Sequence, residues 1–465
     1  MTGKKEELAG IVGETNVLDE PETLEAYSQD QSFSLPIKPR FVVKPKNAEE
    51  VQGVVKWANE TSTPLVPVSS GPPHFNGDTV PSVPEAVIVD LSGMKRIIGI
   101  DRRNRSAQIE PGVTYPQLQQ ELAKEGLMIP TPLLPRANKS VVASLLERQP
   151  TLIPKYLWTT LEPLRGVQVT WGNGDTLPPG GGQVDFNRIV AAAQGSMGIA
   201  IMGMVRCQIL PKIHKLFFVP SSRLDNLIDF LYGVLRFRFG DQLLILNSWS
   251  LASILGSGAD QIEALMEKLP PWVVLVGIGG RDTLPEESVD FQEKDISDIA
   301  QKFGLSLVPA IPGARKGQMQ EAILNPSKEP YWKLGHKGGC QDIFFITTLD
   351  KTPEFVKVMY SLAEQYKYPI SDIGVYIQPV HQGASCHCEF SLPYDPNNSA
   401  EVVKMKELFT KASEELLRQG AFYSRPYGIW ANMAYNRDAQ ATIVLKKIKE
   451  IFDPNYVMNP GKLCF

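Results

Sequence analysis

The chain has 465 residues, enough for two domains, and its hydrophobic fraction of 43% is typical of an ordinary globular protein. Its 47 basic and 51 acidic residues give a net charge of -4, which excludes nucleic acid as an expected partner. The amino-terminal residues lack the apolar core of a signal peptide, and no apolar run is long enough to span a membrane.

The first half alternates predicted helices and strands. Residues 46–60 place four apolar residues at helical spacing, and Asn47 is a suitable N-cap. The short strand PLVPV follows, and a long irregular stretch separates it from a second strand, Ala86–Ser92. Residues 96–112 are predicted to form two strands around a charged turn, and residues 117–125 a helix.

The pattern of elements changes after Pro211. Helices and strands then follow one another twice, which predicts an α+β arrangement, a sheet covered by helices. The glycines of LPPGGG, Gly180–Gly182, are predicted to form a flexible surface link between elements. The predicted strands are 272–278, 342–348, 373–380 and 386–392, and the predicted helices are 222–239, 286–303, 354–366 and 401–419.

Three irregular stretches interrupt the first half. The first, VSSGPPHFNGDTVP at Val68–Pro81, is far longer than a turn between two strands requires. Successive backbone N–H groups in such a loop can bind phosphate oxygens, and the alternative is a long rigid surface loop. It matches neither a Walker A motif nor GxGxxG. The second stretch covers residues 130–144, and the third, a glycine cluster, covers residues 193–203.

Several stretches resemble, in one consistent order, the vanillyl-alcohol oxidase and 4-cresol dehydrogenase superfamily of FAD-linked oxidoreductases, which has glycolate and lactate dehydrogenase-like relatives. They are VDLSGMKRI (89–97), IEPGVTYPQLQQEL (109–122), SLLERQP (144–150), VTWGNGDTLP (169–178), AQGSMGI (193–199), YSRPYG (423–428) and FDPNYVMNPGK (452–462). The resemblance implies a two-domain α+β FAD-binding fold of the vanillyl-alcohol oxidase type, with an antiparallel-sheet substrate domain, or cap. We expect an FAD-binding domain over residues 1–213, a cap over 214–420 and a return to the FAD domain over 421–465.

The same resemblance implies which residues bind FAD. In the family the first loop wraps the pyrophosphate, the second tract lies along the flavin and the third lies near the adenine. Two prolines of the first loop stand where the family has glycines, and they cannot donate N–H bonds. The implied cofactor-binding residues are Ser69, Ser70, Gly71, Pro72, Pro73, His74, Phe75, Asn76, Gly77, Asp78, Pro132, Leu133, Leu134, Ser140, Ser144, Gly195, Ser196, Gly198, Ile199, Asn459 and Lys462.

Arg425 in SRPYG matches the family arginine that faces a substrate phenolate or carboxylate, and its planar fork suits either anion. Tyr423 and Tyr427 flank it and are candidates to donate to the same oxygen; the alternative is a surface arginine between packing tyrosines.

Two departures from the family pattern argue against a plain 4-alkylphenol substrate. Leu133 stands where the phenol oxidases carry an acidic residue, and Phe75 lacks the hydroxyl of their phenol-contacting residue.

The stretch YIQPVHQGASCHCEF contains further candidates for the reaction centre. On a strand, Cys386 and Cys388 share one face, and His387 and Glu389 share the other. His381, His387 and Glu389 could ligate a metal, but the family's GDGN segment is absent, and we expect no metal.

A covalent bond to the flavin at His387 or at His74 is a further alternative, although we expect FAD to be bound non-covalently. Additional candidates for the pocket wall are Trp332, Lys333, His336 and the glycines that follow.

The leading hypothesis is a cytoplasmic FAD-dependent dehydrogenase or oxidase. It would move hydride from a small alcohol, 2-hydroxy acid or para-substituted phenol to the flavin. The alternative is a flavin electron-transfer or structural subunit of a larger complex. The chain has no CxxC series for an iron–sulfur cluster, and its five scattered cysteines favour a reducing compartment. We expect electrons to leave to an acceptor such as an iron–sulfur or cytochrome protein, within a homo-oligomer or a hetero-complex.

Overall fold

The computed structural model of the chain describes residues 2–154, 163–177, 185–315, 317–381 and 385–465. The surface link predicted at Gly180–Gly182 lies outside these residues. Within them, no helix is both long and apolar enough to cross a lipid bilayer.

A four-stranded sheet near the amino terminus positions the first loop. Its strands are arranged β1-β2-β4-β3, with β2, β4 and β3 parallel and β1 antiparallel. The side chain of Asn47 caps the third helix, because its Oδ1 accepts from the N–H of Glu50 at 2.8 Å. The elements are α1 (Thr2–Val12), β1 (Val17–Leu18), α2 (Pro21–Ala26), β2 (Phe41–Val43), α3 (Ala48–Thr61), β3 (Leu65–Val68) and β4 (Val87–Asp90).

A second sheet in this half is antiparallel, in the order β5-β6-β10-β8-β9, and a two-stranded pair β7–β11 lies beside it. The strands are β5 (Ile97–Asp101), β6 (Ser106–Ile109), β7 (Leu127–Met128), β8 (Leu164–Trp171), β9 (Thr176–Leu177), β10 (Gly198–Arg206) and β11 (Gln208–Ile209). The helices are α4 (Tyr115–Lys124), α5 (Val141–Leu146) and α6 (Phe186–Val190). Strand β10 begins inside the third irregular stretch.

The second half is built on a six-stranded antiparallel sheet in the order β12-β14-β13-β16-β17-β15. The strands are β12 (Ile213–Ser221), β13 (Gln242–Asn247), β14 (Trp272–Gly280), β15 (Gly339–Thr347), β16 (Gly374–His381) and β17 (Ser385–Tyr394). The helices are α7 (Asp225–Phe237), α8 (Ser248–Leu255), α9 (Ala259–Met266), α10 (Pro285–Lys302), α11 (Gln318–Leu324), α12 (Thr352–Gln365) and α13 (Ser399–Arg418).

The two faces of this sheet have different neighbours. One face, which includes Cys386 and Cys388, packs against α7, α10, α12 and α13 in the largest apolar cluster. The other face packs against α8, α9 and α11 and against Leu133 and Leu134 of the first half. Strand alternation therefore separates a helix-covered core from a face that meets the amino-terminal half.

The chain then returns to the first sheet through α14 (Ile429–Tyr435) and α15 (Ala439–Phe452). The N–H of Leu65 donates to the carbonyl of Val457 at 2.7 Å, and the N–H of Asn459 donates to the carbonyl of Leu65 at 2.8 Å. The tail thus lies beside β3, the strand that leads into the first loop. The predicted divisions after residues 213 and 420 remain a proposal.

Candidate functional site

The loop after β3 brings unpaired backbone amides into a cavity. His74, Phe75 and Asn76 line that cavity, and their N–H groups donate to no other residue in the described part of the chain. The end of the loop is fixed, because Asp30 Oδ2 accepts from the N–H of Gly77 at 2.6 Å. Adjacent unpaired amides of this kind form a concavity that suits phosphate oxygens.

The second irregular tract supports this loop from behind. The N–H of Gly71 donates to the carbonyl of Asn138 at 3.1 Å, and Arg136 Nη1 donates to the carbonyl of Gly71 at 2.7 Å. The N–H of Ser140 donates to Ser70 Oγ at 3.0 Å. These contacts fix the path of the loop and leave its far side open to the cavity.

The third tract needs glycine because other chain atoms lie very close to it. Gly195 has a φ of 70°, and a Cβ there would lie 2.3 Å from Pro67 Cγ. A Cβ at Gly198 would lie 2.6 Å from the carbonyl oxygen of Thr170. A side chain at either position would displace the tract, so a ligand beside it can contact backbone.

Two cavities follow these tracts. The first, called the chamber, has an empty volume of about 1130 Å³ and extends from the first loop to the large sheet. The second, called the tunnel, has about 730 Å³ and includes the third tract in its wall. Since they share wall residues, the two cavities adjoin each other, and together they are called the elongated space. The shared residues are Pro67, Val68, Ser69, Asp78, Ala143 and Glu147.

The sheet wall of the chamber carries an ion-pair cluster around Lys333. Its Nζ lies 2.6 Å from Asp342 Oδ2 and 2.5 Å from Glu389 Oε1, and Glu389 Oε2 lies 3.2 Å from His387 Nε2. Burial lowers the pKa of Lys333, but the two carboxylates outweigh burial and hold the pKa well above its usual value. Burial likewise raises the pKa of Glu389, but Lys333 and His387 bring that pKa well below its usual range. At neutral pH both Lys333 and Glu389 are therefore charged.

Arg425 also lies in the chamber wall and is 6% exposed. Its guanidinium carbon lies 3.9 Å from the ring centroid of Phe344. Within the described ranges, Arg425 forms no ion pair and no side-chain hydrogen bond. Burial lowers its pKa, and a buried cation without a counter-charge is costly. Its position therefore favours an anionic ligand in the chamber.

Charged groups also lie where the chamber meets the tunnel. Lys139 Nζ lies 2.5 Å from Glu147 Oε1, and Asp78 lines both cavities. Burial and the charge of Glu147 raise the pKa of Asp78 to about 7. Burial lowers the pKa of His74 to about 3, with further lowering by Arg136 and Lys139. His74 is consequently neutral at physiological pH.

About half of the predicted cofactor-binding residues line one of these two cavities. Those in a cavity wall are Ser69, Ser70, His74, Phe75, Asn76, Asp78, Pro132, Leu133, Gly195, Gly198 and Ile199. Neither wall includes Gly71, Pro72, Pro73, Gly77, Leu134, Ser140, Ser144, Ser196, Asn459 or Lys462.

Several residues outside the cavity walls hold the loops instead. Asn459 Nδ2 donates to the carbonyls of Asp78 and Gln194 at 2.9 and 2.7 Å. Lys462 Nζ donates to the carbonyl of Gly77 at 2.7 Å. In this structure Asn459 and Lys462 therefore hold the first and third tracts, and their direct contact with the cofactor stays a prediction.

Of the predicted catalytic residues, Arg425 lines the chamber and Tyr427 lines the tunnel. Tyr423 does neither, because its hydroxyl donates to the carbonyl of Ser413 at 2.8 Å and its ring stacks on Trp430 at 4.7 Å. In this structure Tyr423 thus packs in the core, and its contact with substrate stays a prediction.

The two predicted histidines do not come together as metal ligands. His381 Nδ1 bonds to Ser385 Oγ at 2.9 Å, whereas His387 lies behind Glu389 and contacts neither cavity. Among the residues that the structure describes, which exclude 382–384 in this stretch, no group of three or more His, Cys, Asp or Glu side chains is placed to hold a metal. His336 does not line the chamber; its Nδ1 accepts a hydrogen bond from Trp249 Nε1 at 3.0 Å.

Sequence reasoning missed the cluster of Lys333 with Asp342 and Glu389. Alternation along β17 did place Glu389 on the face of His387. The register of β15 against β17, which pairs Asp342 with Ser391, could not be predicted from the sequence. The sequence analysis also missed Arg136 and Glu147, because neither residue belongs to a recognisable motif.

The elongated space fits a dinucleotide such as FAD. The unpaired amides of residues 74–76 lie in its wall at the first loop, where phosphate oxygens would need donors. The glycines of the third tract leave backbone accessible at the tunnel end. The charged cluster and Arg425 lie in the chamber, on the large sheet and the carboxy-terminal return. The donor set therefore suits a phosphate-containing cofactor in contact with a separate polar compartment.

Comparison with known proteins agrees with this geometry. Family models described as "FAD binding domain" and "FAD linked oxidases, C-terminal domain" match residues 39–146 and 254–463 and together cover more than half of the chain. The chain is 22% identical to D-2-hydroxyglutarate dehydrogenase of Stutzerimonas stutzeri (strain A1501), over 98% of each chain. It is 23% identical to the 4-cresol dehydrogenase [hydroxylating] flavoprotein subunit of Pseudomonas putida, over 97% of this chain and 93% of that protein.

The fold is similar to that of p-cresol methylhydroxylase solved with substrate bound, with a TM-score of 0.84 and 19% identity. The match covers 100% of this chain and 96% of that one. This likeness establishes the two-domain α+β architecture of the vanillyl-alcohol oxidase type, with its antiparallel cap sheet. With the two family matches, it identifies the chain as a member of the FAD-linked oxidases, an oxidoreductase whose cofactor is FAD.

Proposed function

We propose that this chain oxidises a small 2-hydroxy acid and that Arg425 holds the substrate's carboxylate. The supporting observation is the buried guanidinium in the chamber wall, which forms no ion pair in the described part of the chain. A carboxylate accepts two parallel N–H bonds from an arginine fork, and the bound anion would offset the cost of burying Arg425.

The ion-pair cluster gives the second contact with the substrate. Glu389 stays ionised at neutral pH and is held from two sides by Lys333 and His387. A fixed carboxylate in the chamber wall can accept a hydrogen bond from the substrate's hydroxyl group. It would orient that group and, being itself a weak base, would relay the hydroxyl proton to the neutral imidazole of His387, which is hydrogen-bonded to its other oxygen, as the neighbouring C–H bond breaks.

When bound, FAD supplies the acceptor for the hydride that leaves the substrate carbon. In this chain the amides of residues 74–76 would hold its phosphates, and the third tract would contact its other end. The described residues would exclude water from the reacting atoms, because the chamber wall includes Tyr331, Trp332 and Phe344.

A para-substituted phenol is the second candidate. The observation in its favour is the aromatic content of the chamber wall, which contains Phe75, Tyr331, Trp332, Phe344 and Tyr376. Arg425 would then hold a phenolate, as the relative named 4-cresol dehydrogenase suggests. The chamber accommodates either anion at the same residue.

We further propose that electrons leave to a partner protein and that the protein works in a reducing cytoplasm as part of an oligomer or a hetero-complex. The partner is supported by the name of the 4-cresol dehydrogenase relative, which is a flavoprotein subunit. The compartment is supported by five cysteines that are all free thiols. Co-purification followed by mass determination of the native complex tests both the partner and the oligomeric state.

Anaerobic bleaching of the flavin absorbance tests the reaction. The purified holoprotein is mixed with 2-hydroxy acids of both configurations, with para-alkylphenols and with aryl alcohols. We expect rapid bleaching by at least one 2-hydroxy acid. Bleaching by phenols alone would move the assignment to the second candidate. A flavin that no compound in the panel bleaches, but a co-purified protein reduces, would support the electron-transfer subunit instead.

A further inference from the structure

A third cavity, called the side cavity, lies next to the chamber and has no role in the function proposed above. It is formed by residues 32–34, the start of β15, α13 and the start of α14, and its empty volume is about 980 Å³. Its wall is rich in aromatic side chains, namely Phe33, Phe75, Phe409, Tyr427 and Trp430. Such a space suits an apolar, flat or chain-like group.

The side cavity and the chamber share part of their walls. Phe75, Asn76 and Asp342 border both cavities. Asp342 is already satisfied there, since Lys333 Nζ and Ser391 Oγ donate to its two oxygens. The shared wall therefore presents an aromatic ring and a neutralised carboxylate, and it leaves no isolated charge facing the apolar side.

Arg425 lies one aromatic ring away from the side cavity. Its guanidinium carbon is 3.9 Å from the centroid of Phe344, and that ring meets Trp430 edge-on at 5.0 Å between centroids. Phe344 borders the chamber, and Trp430 borders the side cavity. The ring of Phe344 thus separates Arg425 from the side cavity, and a molecule that contacts both would pass beside Phe75, Asn76 and Asp342, which border both cavities.

We propose that the side cavity is a subsite for the uncharged end of the substrate, so that this enzyme prefers anions that carry an aryl or extended alkyl group. The proposal rests on the function proposed above, in that the anionic end binds Arg425. The bond changes are those of the 2-hydroxy acid reaction, and the side cavity contributes only binding and selectivity.

Binding of unreactive carboxylates tests the subsite without turnover. Acetate, butanoate, hexanoate and 4-phenylbutanoate lack the hydroxyl group, so calorimetric titration of the holoprotein measures their affinity alone. We expect Kd to fall about fourfold for each methylene group that enters the side cavity. An affinity that does not change with chain length would overturn the subsite.

A filling variant shows whether the chain-length effect arises in this cavity. Thr410 lies in its wall on α13, and Thr410→Trp adds an indole there. Glu407→Trp is the matched control, because Glu407 is exposed on the same helix and is not in the cavity wall. We expect the chain-length effect to disappear in Thr410→Trp and to persist in Glu407→Trp. An equal chain-length effect in both variants would place the apolar group elsewhere and sink the proposal.

Bleaching rates with lactate, 2-hydroxyhexanoate and 3-phenyllactate separate this proposal from the one on which it rests. We expect the longer acids to have the higher kcat/KM in wild type, and Thr410→Trp to lower that preference. If lactate bleaches as fast as the longer acids, the function stands and the subsite fails. If no hydroxy acid bleaches the flavin while 4-phenylbutanoate still binds more tightly than acetate, the subsite stands and the function fails.

Discussion

Lys449 and Asp453 form a completely buried ion pair, with both side chains at 0% exposure. Lys449 Nζ also donates to the carbonyls of Ser196 and Met458. Asp453 accepts from the N–H groups of Val457 and Met458 at 3.0 and 2.9 Å. The pair therefore ties α15 and the carboxy-terminal tail to the third irregular tract.

Replacing Lys449 by methionine should lower the free energy of unfolding by about 3–5 kcal/mol, because the carboxylate of Asp453 stays buried without its partner. Denaturant unfolding of the holoprotein measures the loss. Lys124→Met is the control, since Lys124 pairs with Glu121 on the surface and should cost less than about 1 kcal/mol. A loss of similar size in the two variants would contradict the buried-pair interpretation.

Arg425→Lys should slow substrate-driven flavin bleaching roughly 30- to 1000-fold, which corresponds to about 2–4 kcal/mol of transition-state stabilisation. Lysine keeps the positive charge but cannot form the bidentate hydrogen bonds that a guanidinium forms with the anion. FAD content should be unchanged. Arg437→Lys serves as the control, because Arg437 is exposed and lies outside the chamber wall. Equal bleaching by the two variants would show that Arg425 does not contact substrate.

Gly195→Ala should lower FAD affinity by at least about tenfold, since the new Cβ would lie 2.3 Å from Pro67 Cγ and the φ of 70° disfavours a side chain. The absorbance ratio of flavin to protein after dialysis measures retention. At Gly93 an added Cβ meets nothing within 4 Å, so Gly93→Ala should retain FAD as wild type does. Full retention by Gly195→Ala would mean that the third tract does not shape the cofactor site.

Tyr423→Phe should cost about 1 kcal/mol of stability and leave the bleaching rate within about twofold of wild type. The reason is that the Tyr423 hydroxyl donates to the Ser413 carbonyl inside the helix-covered core. Stopped-flow bleaching and thermal unfolding of the same preparation separate the two effects. A rate drop of tenfold or more without a loss of stability would restore the sequence-based prediction that Tyr423 contacts substrate.

Asp78→Asn should make the stability of the protein depend less on pH between pH 5 and pH 8. Burial and Glu147 raise the pKa of Asp78 to about 7, with smaller opposing effects of Lys139 and Lys462 and a further raising effect of Asp30. A raised pKa means that the folded state binds a proton which the unfolded state releases near pH 4. Stability from this group is thus present at low pH and lost as pH rises towards 7.

The expected size of that loss between pH 5 and pH 8 is on the order of 2 kcal/mol in wild type. Asp78→Asn should lack this part of the pH dependence. Unfolding midpoints in urea at the two pH values give the comparison, with Asp175→Asn, an exposed position, as the control. Parallel pH profiles for wild type and Asp78→Asn would show that Asp78 is ionised throughout the range.

Sequence patterns correctly predicted the features that depend only on neighbouring residues, such as helix caps and the alternation of side chains along a strand. The cap of α3 by Asn47 and the facing of β17 follow from spacing alone, and the resemblance gave the loops in the correct order. The sequence did not predict that Tyr423 turns inward, because that depends on how α13 packs against the return segment. Lys333 and Glu389 are 56 residues apart, and only the pairing of β15 with β17 brings the cluster together.

The chamber wall joins side chains from distant places along the chain, among them the first loop, the second tract, the stretch at residues 331–333, three strands of the large sheet and the carboxy-terminal return. A polypeptide emerging from the ribosome therefore lacks Arg425 and the Lys449 tie until nearly all residues have been made. The amino-terminal half can fold earlier, but its first and third tracts lack the contacts of Lys449, Asn459 and Lys462 until the carboxy-terminal residues are made. FAD is therefore expected to bind late in synthesis. A chain that ends before residue 425 would lack both Arg425 and the contact of Lys449 with the third tract.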